Sequence, residues 1–152
     1  MPLPHEFIEE SGYLHCKISG PYSGAREAIE FFGQVILRSR CSGLTNILYD
    51  TRDMTDYPGA TEKIIYMSRI IDQHDNYIAF GGKPLRVAFL GNKEENPVYS
   101  PGLEVAASRE FAALSTSDLK EALAWFLEPD TKANSNWKKS KAHRGIGLGK
   151  RV

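Results

Sequence analysis

A single α/β domain with a mixed, mostly parallel sheet is predicted by three features of the chain. Short apolar runs suited to strands alternate with longer stretches of helical periodicity. A hairpin-like alternation precedes the first helix, which gives the sheet an antiparallel edge. Glycine and proline punctuate the boundaries between segments. The resulting order is β-β-α-β-α-β-α-β-α, with the helices packed on the sheet and right-handed parallel crossovers.

The elements follow in turn. Phe7 and Ile8 belong to a first strand, Ser11 and Gly12 to a turn, and residues 13–19 to a second strand, stopped by Gly20-Pro21. Ser23 is a suitable N-cap for a helix through about Arg40, with Ala25, Ala28, Ile29, Phe32, Val35 and Ile36 at helical spacing and Gly43 closing it. Residues 44–49 (LTNILY) form a strand ending in Asp50, and the loop TRDMTDYPGA leads to a helix beginning near Thr61. Ile64, Ile65, Ser68 and Ile71 share one side of that helix, whose pattern fades around Asn76 before Gly81-Gly82 and Pro84. Residues 85–90 (LRVAFL) read as a central strand covered on both faces. The loop 93–102 then leads to a short helix at 103–109. Phe111, Ala112, Ala113 and Leu114 form the last strand, and Asp118 or Ser117 caps a terminal helix. Its buried stripe is Leu119, Ala122, Leu123 and Phe126, with Trp125 at the margin.

Composition places the chain among ordinary globular proteins: 152 residues, 41% hydrophobic and 25% charged. The start, MPLPHEFIEESG, carries acids and prolines where a secretion signal has basic residues and an apolar core, so a cytoplasmic location is expected. Cys16 and Cys41 are too few for a disulfide framework and read as reduced structural thiols. The zero net charge hides an asymmetry. Residues 129–152 hold seven Lys or Arg against one acid, Asp130, which leaves 12 basic and 18 acidic residues before them. The division expected is therefore an acidic domain at 1–128 and a basic, flexible tail at 129–152.

Ligands of open α/β sheets bind beyond the carboxyl ends of the strands. That edge is expected to gather Asp50, Thr51, Arg52 and Asp53 from one loop and Gly91, Asn92, Tyr99 and Ser100 from another. Acids, a base, hydroxyls and glycines in one place suit a small polar ligand or an anion, although Asp and Thr after a strand also make turn bonds to backbone. No catalytic residue is assigned, and no cofactor or metal is expected: His5, His15, His74 and His143 lack ligand spacing. His15 and Cys16 are adjacent in a strand and point to opposite faces, so they form no catalytic pair. Gly145, Gly147 and Gly149 lack the preceding strand that a dinucleotide fingerprint needs. Trp137 among Lys138, Lys139 and Lys141 suits contact with nucleic acid, but a solubilising tail or one folded on its own acidic body is the better reading.

Four segments, GYLHCKISGPYS, NILYDTRDM, LRVAFLG and ALSTSDLKEALAWF, resemble the STAS-like, SpoIIAA-related family across about residues 6–128. The similarity is to a bacterial branch that shares features with Sec14-type lipid-binding domains. It implies a regulatory or protein-interaction module without catalysis, acting on a protein partner or as a homodimer. Its Sec14-like side implies instead a small-molecule or lipid ligand. Classical members carry a phosphorylatable serine in an Asp-Ser-Ser-Gly-like turn. Here that region reads YDTRDMTDYPGATEK, with Thr51, Thr55 and Thr61 but no such motif, so no phosphorylation site carries over.

Overall fold

A computed structural model describes residues 4–92 and 101–129. Among the described residues nine elements appear in the expected order. They are β1 (His5–Glu9), β2 (Leu14–Gly20), α1 (Ala25–Ser42), β3 (Asn46–Met54), α2 (Ala60–Ala79), β4 (Arg86–Leu90), α3 (Pro101–Ser108), β5 (Ala113–Thr116) and α4 (Leu119–Phe126). The five strands lie in sequential order, β1 antiparallel to β2 and the remaining pairs parallel.

Because every crossover steps one strand in the same direction, a single hand places α1, α2 and α3 on one face. Alternation along the strands divides the core accordingly. Leu14, Cys16 and Ile18 of β2, Ile47 and Tyr49 of β3, and Val87 of β4 join Phe31, Phe32, Val35, Met67, Ile70 and Ile71 from the helices. Leu48, Ala88, Leu90 and Leu114 point the other way, onto Ala122, Trp125 and Phe126 of α4. The central strand β4 is thus covered on both faces, as its apolar run predicts. No helix among the described residues is long and apolar enough to cross a membrane.

Several local expectations need correction. Gly24, not Ser23, precedes α1 and gives it no side-chain cap, while Gly43 does end the helix, in the left-handed region at φ 78°. Cys41 lies inside α1 and is exposed, whereas Cys16 is buried. The buried stripe of α2 is Met67, Ile70, Ile71 and His74, and both Ile64 and Ile65 are exposed. Trp125 is the largest change: it is 1% exposed, not marginal, while Leu119 and Leu123 are only partly buried. Its anchor is a second buried residue that an apolar run had concealed. Arg86 holds its guanidinium 4.4 Å from the Trp125 ring centre and donates to the carbonyls of Trp125, Phe126 and Glu128 at 2.9–3.2 Å. A cation at the C-terminal end of α4 satisfies carbonyls that the helix itself leaves open. The basic tail expected at 129–152 lies, but for Pro129, outside the described residues.

Candidate functional site at the carboxyl edge

The residues expected to form a loop after β3 belong to the strand itself, which runs to Met54. Backbone alternation therefore splits them between two faces. Asp50 follows Leu48 onto the α4 face, and Thr51 follows Tyr49 onto the helix-rich face. The pairing with β2 then gains a residue, since Lys17 faces Asp50 and Ser19 faces Asp53. This bulge reverses the alternation, so Met54 packs into the helix-side core instead of following Asp50 and Arg52.

On the α4 face Asp50 is 4% exposed and closed in by its neighbours. Arg52 donates through Nε to Oδ1 at 2.9 Å and through Nη2 to Oδ2 at 2.8 Å, and its backbone N–H reaches Oδ1 at 3.1 Å. His15 Nε2, arriving from β2, lies 2.9 Å from Oδ2, and its other ring nitrogen is 4.0 Å from Glu10. Burial pushes the Asp50 pKa up, but the bonds from Arg52 and His15 outweigh it and hold the group at about 2. Both carboxylate oxygens are occupied, which makes this cluster a structural clamp between β2 and β3.

The other predicted residues tie the strand ends together. Thr51 Oγ1 donates to the Leu90 carbonyl at 3.3 Å, and buried Gly91 donates its N–H to Thr116 O at 3.0 Å. Asn92 Nδ2 donates to Arg52 O at 3.3 Å and to Tyr57 Oη at 2.6 Å. Asp53 is exposed and adds its charge to the field at Arg52. Tyr99 and Ser100 lie outside the described residues. Asp50, Thr51, Arg52, Gly91 and Asn92 are therefore neighbours, and their polar groups bond to one another and to backbone.

On the opposite face of β3 lies a cleft missed by the sequence reading. Tyr49 and Thr51 of β3, Tyr22 before α1, Tyr57 before α2 and Tyr66 within α2 line it. Ile18, Ala28 and Met54 complete its apolar part. Its volume is about 40 Å³. Tyr57 Oη donates to Met54 O at 3.0 Å, which fixes one wall. Behind another wall, Tyr22 Oη and Glu62 Oε1 are both buried. Burial first, then the interaction of its hydroxyl with the Glu62 carboxylate, raises the Tyr22 pKa. Tyr49, more deeply buried, is raised well above the usual phenol range, chiefly by burial. Nothing in the spacing of positions 22, 49, 57 and 66 announces this convergence. It requires the crossovers that set the starts of α1 and α2 beside the end of β3.

Among the described residues no group of three or more His, Cys, Asp or Glu is placed to hold a metal ion. Thr55 and Thr61 are exposed, whereas Thr51 is bonded to Leu90 O. Compared with protein-family models and with curated proteins, the chain has no match in either set.

Proposed function

We propose that this chain is a non-catalytic interaction module of the STAS-like kind, recruiting a protein partner in the cytoplasm. The element order and the sequential sheet with one antiparallel edge support the family reading. The observation that carries the interaction reading is Phe80, which is 92% exposed at the end of α2. It borders a cleft of about 570 Å³ between the ends of α1 and α2, together with Tyr77, Arg40 and Lys83. Leu37 on α1 and Ile78 on α2 are exposed as well. Aromatic and arginine side chains of this kind are frequent anchors of protein interfaces. An exposed free thiol, Cys41, fits a reducing compartment.

The test is reconstitution with a partner captured by the full chain. Stoichiometric binding weakened at least about tenfold by Phe80→Glu supports the reading, because truncating an anchor costs 1.4 kcal/mol or more. Binding unchanged by Phe80→Glu and Leu37→Glu, or no stoichiometric partner at all, overturns it.

A second reading, small-molecule binding, is favoured by the tyrosine cleft. Beneath the helices Phe31 and Phe32 fill the core, at 2% and 0% exposure. The space available lies at the carboxyl edge, where open α/β sheets bind ligands.

A further inference from the structure

We propose that the tyrosine cleft binds a compact organic cation, an ammonium head group, among the rings of Tyr22, Tyr49, Tyr57 and Tyr66. This deepens the second reading above, since it requires the cleft to be a ligand site, and adds the charge of the ligand. Aromatic side chains attract cations through the negative potential of their ring faces, and such cages are a general solution for ammonium ligands. Four of the nine residues lining the cleft are tyrosines, and none of the nine carries a charge. Among the described residues the lining holds no basic residue that would repel a cation.

The surrounding charge points the same way. Glu62 Oε1 is buried behind Tyr22 and interacts with its hydroxyl. Its carboxylate places negative charge beside the rings, which favours a positive group. The ends of α1 and α2 nearest the cleft are their N-termini, whose partial positive charge disfavours a cation. Each has an acid in its first turn to offset this, Glu27 in α1 and Glu62 in α2. Asp53 and Asp56 add negative charge at the same edge.

Size selects the head group over a chain. The cleft's volume, about 40 Å³, is far below the ~300–1,000 Å³ of pockets that enclose larger ligands, which disfavours an acyl tail. Free alkylammonium compounds and a lipid head group share this chemistry, and the experiment separates them.

Titration calorimetry with tetramethylammonium and choline is compared with 3,3-dimethylbutanol, a neutral compound of nearly the same shape as choline. The cations are expected to bind at least about tenfold more tightly than the neutral compound, given the strength of desolvated cation–π contacts. Glu62→Gln and Tyr66→Leu are each expected to weaken cation binding, the latter while keeping the cleft filled with apolar atoms. Thermal melts of both variants report whether the fold survives, and the wild-type comparison stands without them. Equal affinity for the neutral compound overturns the charge inference and leaves the small-ligand reading intact. No binding of any of the three at tens of millimolar overturns both. Binding unchanged in a folded Tyr66→Leu protein removes the cage. With choline bound, sedimentation with phosphatidylcholine vesicles assigns the site to a membrane head group, and its absence assigns it to a free ligand.

Discussion

The two faces of this sheet are closed by different means. Three helices cover one face, and their apolar residues form a continuous core from β1 to β5. Its buried imidazole, His74, accepts a hydrogen bond from the Leu85 N–H at 2.9 Å and packs edge-on against Phe111. Among the described residues the opposite face has only the eight-residue α4, centred on β4 and β5. Where that helix runs out, toward β2, the face is closed by Asp50 clamped between Arg52 and His15. Helices close a face through area, whereas the clamp closes it through charge. The faces should therefore respond to different mutations and lose stability in different ranges of pH.

The largest effect is expected at Trp125. A helix of eight residues has no stability alone, so α4 depends on its attachment. Trp125→Ala removes the buried ring and the surface against which Arg86 stacks. A loss of about 3–5 kcal/mol is expected in urea denaturation, the range for large aromatic truncations in cores. A loss below about 1 kcal/mol would show that α4 is held by its apolar neighbours alone and would break the contrast between the faces.

Acid titration sharpens the same contrast. Asp50 has a folded pKa of about 2 against an ordinary 3.8. Its contribution is thus complete above 3.8 and is lost as pH falls from there toward 2. Asp50→Asn is expected to cost about 2 kcal/mol at neutral pH and to remove that low-pH step. His74 acts in a higher window. Burial lowers its pKa from 6.5, against a smaller opposing effect of Asp75. Its neutral form is the one that accepts from Leu85. Stability is full above pH 6.5 and declines as the pH falls from that value toward the lower folded one. His74→Gln retains an acceptor and should flatten this upper step while leaving the lower one. Melting temperatures from pH 8 to about 2 in both variants read the two steps separately, and a single step abolished by either variant would merge the faces into one electrostatic unit.

The fold was legible because its signals are local. Alternation at Leu14, Cys16 and Ile18, helical spacing from Ala28 to Val35, and glycine at 43 each act within a few residues. The candidate site was half legible for the same reason. Asp50 and Arg52 are two residues apart, so their pairing was foreseeable, whereas His15 reaches Asp50 from 35 residues away. The bulge opposite Lys17 and Ser19 extends β3 and turns Met54 inward, and no residue between Asp50 and Asp53 marks it. Trp125 was misplaced because periodicity registers Arg86 as an interruption in a strand, not as the partner that makes a tryptophan worth burying.

The smallest effects expected concern helix starts, where the sign depends on the backbone at the cap. On the α4 side Asp118 accepts the Lys120 N–H through Oδ1 at 3.0 Å, so Asp118→Ala should cost about 1 kcal/mol. On the helix-rich side α2 starts after Gly59, which supplies no side-chain cap. Gly59 has an extended backbone, φ −74° and ψ 177°, and a Cβ there meets nothing within 4 Å. Gly59→Ser adds a hydroxyl acceptor for the first turn and should raise stability by about a few tenths of a kcal/mol. Gly24, the corresponding residue before α1, stands at φ 127°, where a side chain is strained, and an added Cβ would lie 3.2 Å from Glu27 Oε1. Gly24→Ser should therefore destabilise despite introducing the same hydroxyl. Opposite signs for serine at 59 and 24, measured by thermal denaturation, would separate capping from backbone strain. Equal signs would mean that the starts of α1 and α2 are governed by their packing against the sheet.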